Sequence, residues 1–135
     1  MKKPEALIAE SDPQAVLTCE RALMQSGYDV RTAGCGMTAA AQIRARRPDV
    51  VILGEDLQWG GIESVLELIE SLGNDSDEPG YAPHLLILGR SSAFQLSRDF
   101  GLPINQCLEM PLTRWSVMNA VSWAITRPSQ ELARV

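Results

Sequence analysis

Apolar residues fall along the chain in short runs, and their period changes from run to run. Ala6-Leu7-Ile8-Ala9 is continuous and stops at the polar Glu10-Ser11-Asp12. Val50-Val51-Ile52-Leu53 and Leu85-Leu86-Ile87-Leu88 are continuous in the same way. Short apolar runs bounded by polar or breaker residues predict buried strands. Tyr28 to Thr32 instead alternates, as an edge or half-covered strand does, and Ile104 to Leu108 reads as a fifth, weaker strand.

Between these runs the period lengthens to that of a helix. Asp12-Pro13 offers an N-cap and a first helical position. Ala15, Val16, Cys19, Ala22 and Leu23 then share one face as far as Gln25, and Gly27 is placed to end the helix. Gly36 to Arg47 is alanine-rich and stops at Pro48. Ile62, Val65, Leu66 and Ile69 carry a third helix to Gly73. The stretch "NDSDEPGYAP" predicts an exposed loop. Ser91 to Phe100 and Thr113 to Ile125 supply the last two helices, with Thr113 as N-cap.

Strand and helix therefore alternate five times. Continuous apolar strands separated by helices predict an α/β fold with a parallel sheet covered on both faces. In such a sheet the working crevice lies beyond the carboxyl ends of the strands. The residues predicted there are Glu10-Ser11-Asp12, Gly54-Glu55-Asp56, Gly89-Arg90-Ser91 and Glu109-Met110-Pro111. At the end of the third strand stands Gly54, which has no side chain to deliver. Either the site lacks chemistry there, or Glu55 or Asp56 takes it over.

The length of 135 residues suits one domain. Residues 1–127 are expected to form it, with 128–135 as a tail or the start of a linker. A net charge of -5 disfavours direct contact with nucleic acid. The cluster Arg44, Arg46, Arg47 reads as a solvated face complementing a helix end. Cys19, Cys35 and Cys107 have no metal-type spacing, and their odd number disfavours a disulfide framework. Reduced thiols in a cytoplasmic protein are expected. No apolar run reaches the roughly 18 residues of a membrane span. "MKKPEALIAESD" has no long apolar stretch after its lysines, so it does not read as a signal peptide.

The order and spacing of these pieces resemble the receiver domain of two-component response regulators, from about Glu5 to Ile125. "LIAESDP" is similar to the family's first strand, acidic cluster and proline. "SGYDVRTAGCGMTAAAQIRARRPDVVIL", "GGIESVLELI", "LLILGRSS" and "CLEMPL" resemble its later stretches in turn. The resemblance implies a flavodoxin-like (βα)5 doubly wound sheet with strand order 2-1-3-4-5. It also implies signalling by phosphoryl transfer from a histidine kinase.

That chemistry needs an aspartate at the end of strand three and two acidic residues after strand one to help hold Mg2+. It also needs a hydroxyl after strand four and a lysine after strand five, which stabilises developing charge. The matching positions here are Gly54, Glu10 with Ser11, Gly89 and Met110. Of these, Glu10 keeps its type. The expectation is therefore a degenerate receiver that accepts no phosphoryl group, is not an enzyme, needs no cofactor and works by protein contact. Its pocket is expected to have collapsed or filled with water.

Other readings stay open. Asp56 serves as acceptor if the third strand extends by Gly54 and Glu55, and Mg2+ would then be needed. Glu10 and Asp56 are weak candidates for a cation. Gly34-Cys35-Gly36-Met37-Thr38-Ala39 fits the dinucleotide form G-x-G-x-x-A, with Glu55 about twenty residues on, and allows a small α/β enzyme or nucleotide binder. The motif, however, does not follow the first strand. His84 is the chain's single histidine and reads as a strand-start polar residue. Cys107, at a position where the family often has a switching aromatic, reads as a small buried hydrophobe. Trp59 has no core periodicity, and either covers the crevice or stands exposed.

On the last helix Val117, Val121, Ala124 and Ile125 form the apolar face, with Trp115 and Met118 at its edge. Trp123 falls with Ser116 and Asn119 on the polar face, where it is a candidate contact for a signalling protein or a second copy of the chain. The alternative is a Trp123 folded down over a neighbouring helix.

Overall fold

The computed structural model describes residues 2–75, 77 and 80–125. The expected boundary at 127 and the tail 128–135 lie outside them, as do residues 76, 78 and 79 of the acidic loop. Among the described residues five strands alternate with five α-helices: β1 (Glu5–Ala9), α1 (Pro13–Gln25), β2 (Asp29–Ala33), α2 (Gly36–Arg46), β3 (Val50–Gly54), α3 (Gly61–Gly73), β4 (His84–Gly89), α4 (Ala93–Phe100), β5 (Cys107–Glu109) and α5 (Arg114–Ile125). The strands are parallel, in the order β2-β1-β3-β4-β5. This is the flavodoxin-like topology.

The continuous apolar strands follow from a sheet covered on both faces. Side chains alternate across a strand. Ile8, Val50, Ile52, Leu86 and Leu88 pack with Cys19 and Leu23 of α1 and Val117 and Val121 of α5. Leu7, Val51, Leu53 and Ile87 pack on the other side with Ile43 of α2, Ile62 and Val65 of α3 and Leu96 of α4. β2 lies at an edge, and its Asp29, Arg31 and Thr32 are exposed.

The helix ends differ from expectation in instructive ways. Asp12 is the N-cap of α1 and Pro13 follows it, but the Asp12 side chain makes no capping hydrogen bond. The Glu10 carboxylate accepts the Asp12 N–H instead, at 2.6 Å. α2 ends at Arg46 because Arg47, the residue before Pro48, leaves the right-handed helical region with φ 46. α3 runs through Gly73 to a C-cap at Asn74. The predicted strand 104–108 is corrected: Ile104–Gln106 form one 3₁₀ turn, and β5 begins only at Cys107. Pro103 fixes the start of that turn, and its carbonyl accepts the Gln106 N–H at 2.9 Å.

The buried stripe of α5 is also shifted. Val117, Ala120, Val121 and Ala124 are buried, at the i, i+3, i+4, i+7 spacing of one helical face. Ile125 is 47% exposed and Trp115 73% exposed, so neither belongs to the core. Among the described residues no helix is long and apolar enough to cross a membrane.

Candidate functional site

The sheet register brings the predicted crevice residues to one end of the molecule. Ala9 pairs with Leu53, Gly54 with Leu88, and Gly89 with Glu109. The chain beyond each strand therefore opens at the same level. The Glu55 N–H continues the ladder to Leu88 O at 2.8 Å, and the Met110 N–H does so to Gly89 O at 2.8 Å.

Glu10 is buried, at 7% exposure. Its Oε2 accepts the N–H groups of Ser11 at 2.9 Å and Asp12 at 2.6 Å. This holds the carboxylate back against the start of α1, where the helix dipole favours negative charge. Its other oxygen turns toward β3. A Cβ on Gly54 would overlap Oε1 of Glu10 and stand 2.9 Å from its Cδ. Glu10 thus fills the space that a side chain at position 54 would need.

A second carboxylate does the same at the next strand end. A Cβ on Gly89 would stand 2.6 Å from Cδ and 2.7 Å from Cγ of Glu55. Glu55 is held there by Ser91, whose N–H donates to Oε1 and whose hydroxyl donates to Oε2, each at 3.0 Å. Between the loop after β3 and the loop after β4 runs a two-pronged charge-assisted contact. Of the two carboxylates after Gly54, Glu55 is the one engaged. Asp56 is exposed, inside the turn closed by Leu57 N–H on Gly54 O at 3.2 Å. β3 includes Gly54 and the Glu55 N–H continues its ladder, so the strand reaches both residues that the Asp56 reading adds to it, and Asp56 follows them.

Ser11 is exposed. Met110 is half-buried and packs on the core cluster of α1 and α5. The residues at the strand ends do not fit Mg2+, a cation that takes six oxygen ligands in near-octahedral geometry. Glu10 is turned onto backbone N–H groups, β3 offers no carboxylate at its end, and Glu55 is tied to Ser91. Among the described residues no three His, Cys, Asp or Glu side chains converge on one point. Two glycines were legible as gaps in the sequence. That Glu10 and Glu55 fill them was not, because both fillers come from another element or from the loop beyond the strand.

The second glycine of the G-x-G-x-x-A stretch, Gly36, has a packing reason, whereas a Cβ on Gly34 would meet nothing within 4 Å. The stretch joins β2 to α2. A Cβ on Gly36 would stand 2.8 Å from Trp59 O and 3.0 Å from Gly61 N. The Gly36 N–H donates to Gln58 O and the Met37 N–H to Trp59 O, both at 2.8 Å. The helix-start donors that would cradle a phosphate are therefore already taken by the loop after β3. Trp59 does not cover the crevice: it is 72% exposed.

The α5 residues form a surface of different character from the one expected. Trp123 is half-buried rather than exposed. Ser116 is committed to the helix start, accepting the Thr113 N–H at 3.2 Å while its own N–H donates to Thr113 Oγ1 at 3.0 Å. Asn119 is exposed. With Trp115, Ile104 and Leu108, these residues line an open groove of about 390 Å³. Cys107 is buried beside it, and burial pushes its thiol up to about 11.

No protein-family model matches the chain, and no curated protein matches it in sequence. Solved structures do match in shape. The receiver (REC) domain of the PhyR response regulator of Erythrobacter litoralis is 18% identical, with a TM-score of 0.74 over 96% of this chain and 95% of that one. The chemotaxis response regulator CheY4 of Vibrio cholerae is 15% identical, with a TM-score of 0.70 over 91% of this chain and 99% of that one. A response regulator from Thermotoga maritima is 16% identical, with a TM-score of 0.67 over 93% of this chain and 100% of that one. Identities this low establish shape alone: the chain has the receiver-domain fold of two-component response regulators.

Proposed function

We propose that this domain is a degenerate receiver, a signalling module that acts through protein contact and takes no phosphoryl group. One observation carries the reading. The spaces at Gly54 and Gly89, where an acceptor and a hydroxyl would be needed, hold the carboxylates of Glu10 and Glu55. A phosphoryl group brought to that crevice meets two fixed negative charges. The lysine position, which would offset them, is Met110. In this reading the domain catalyses no reaction and needs no cofactor. It sits in the cytoplasm, contacts no nucleic acid or membrane, and the groove of Trp115, Asn119 and Trp123 meets a signalling protein or a second copy of the chain.

The test is intact mass after incubation with acetyl phosphate and Mg2+, for the wild type beside Asp56→Ala. The expected result is an unchanged mass for both. A metal-dependent phosphoryl adduct absent from Asp56→Ala would make Asp56 the acceptor and the domain a working receiver. An adduct in both would place the acceptor elsewhere and sink the proposal equally. Saturable thermal stabilisation by a nucleotide would instead favour a nucleotide-binding domain.

A further inference from the structure

At the amino ends of the strands, opposite the crevice, a cleft of about 240 Å³ opens between α3, the start of β4 and the 3₁₀ turn before β5. Ile69, Tyr81, Leu85 and Leu102 give it apolar walls, with His84 and Gln106 among its polar lining. One wall is fixed. The Tyr81 hydroxyl donates to Pro48 O at 2.8 Å, and its carbonyl packs so closely on Gly73 that a Cβ there would stand 2.9 Å away.

Gln106 is 2% exposed, and its Nε2 donates to Leu85 O at 2.7 Å. Its Oε1 has no hydrogen-bond partner, and it is the one buried side-chain atom of which this holds among the described residues. Turning the carboxamide over does not help. That would set an acceptor against the Leu85 carbonyl and lose the existing bond. A sealed acceptor without a donor destabilises a fold unless something supplies the donor.

We propose that this cleft binds a small, largely apolar molecule carrying one hydroxyl or N–H donor, which it delivers to Gln106 Oε1. The volume suits a single ring rather than a nucleotide or a larger cofactor. Glu70 is the charged residue of the lining, which disfavours an anion. Oε1 is sealed in the free protein, so the donor reaches it as the wall side chains part. The site is independent of the crevice and of any reading of the crevice.

The probes are phenol and anisole, which share a ring and differ in the donor. Each is titrated into the isotope-labelled protein while amide shifts are followed. Phenol is expected to give saturable shifts at Leu85, Leu102 and the Gln106 carboxamide, with anisole binding about tenfold more weakly, the worth of one hydrogen bond. In Gln106→Leu the two probes are expected to bind alike. Equal affinities in the wild type, or no response at these residues, would overturn the proposal. So would a long-lived water beside the Gln106 carboxamide with no phenol binding. The wild-type comparison decides the matter even if Gln106→Leu, which loses the bond to Leu85 O, fails to fold.

Discussion

Oε1 of Glu10 occupies the place that a Cβ on Gly54 would take. The two residues lie on adjacent strands' ends, and each is shaped by the other. A glycine is tolerated at position 54 without any demand from backbone conformation, since its φ is not positive. What the position needs is the missing side chain. Gly54→Ala should therefore cost about 1–3 kcal/mol, as overpacking and displacement of a hydrogen-bonded carboxylate combine. Glu10→Ala should also destabilise, because the Ser11 and Asp12 N–H groups lose their acceptor. In the double variant the methyl group finds the space vacated. Urea unfolding of the four proteins should show a coupling of about 1 kcal/mol or more in favour of the double. Simple additivity would mean that Glu10 swings clear at little cost.

A parallel relationship joins Gly89, Glu55 and Ser91. Gly89→Ala should expel Glu55 and release both of its bonds from Ser91. The Ser91 amide should then exchange with solvent much faster than in the wild type, as it should in Glu55→Ala. Stability losses of about 1–3 kcal/mol are expected for each change, with the two together costing less than their sum. Unchanged exchange at Ser91 in Gly89→Ala would show that Glu55 accommodates the methyl group without letting go.

How much of this was legible in the sequence depends on how local the signal was. Strand runs such as Val50-Leu53 announce burial on both sides, and the sheet confirms it face by face. The gaps at Gly54 and Gly89 were legible as well. The Ile104–Gln106 turn was missed because its apolar Ile104 imitates a strand, while the deciding constraint is Pro103. Ile125 was misplaced because a helical face is set by its neighbours. α5 packs with Ala120 inward, a small residue that carries little hydropathy signal. The pairings Glu10–Gly54 and Glu55–Ser91 join residues far apart in sequence, and no local pattern encodes them.

The three cysteines should separate cleanly by reactivity and by their effect on alkaline stability. Cys35 is half-buried, and its hydrogen bond with the Thr38 hydroxyl at 3.3 Å holds its thiol below the ordinary value of 9.0. Cys19 is pushed up to about 12, first by burial and then by the charge of Glu10, and Cys107 to about 11 by burial. A thiol reagent at pH 8 should modify Cys35 first, and Cys35→Ser should abolish the fast phase. For Cys19 the native state keeps a proton that the unfolded chain gives up above pH 9. Its contribution to stability is thus complete below that pH and declines as pH rises toward about 12. Tyr28 and Tyr81, both raised by burial, act in the same direction from about pH 10. Urea midpoints should fall from pH 9 upward, less steeply in Cys19→Ala. A flat profile would show that these groups titrate alike in both states.

Trp59 has φ 53, a left-handed conformation that bulky side chains rarely adopt. Its carbonyl explains why it stays there: it accepts the Met37 N–H at 2.8 Å and rests against Gly36, which ties the loop after β3 to the start of α2. Those backbone contacts need no indole, and the indole is 72% exposed. Trp59→Gly should therefore relieve about 1–2 kcal/mol of conformational strain. Greater freedom of the unfolded chain should offset about 0.5–1 kcal/mol of this. The net expectation is a variant as stable as the wild type or up to about 1.5 kcal/mol more stable, read from the urea midpoint at unchanged slope. Trp59→Ala keeps the strained backbone with a Cβ and should show no such gain. Loss of more than about 1 kcal/mol in Trp59→Gly would mean that the indole covers apolar surface in solution, and the exposed tryptophan would cease to be available for contact with another protein.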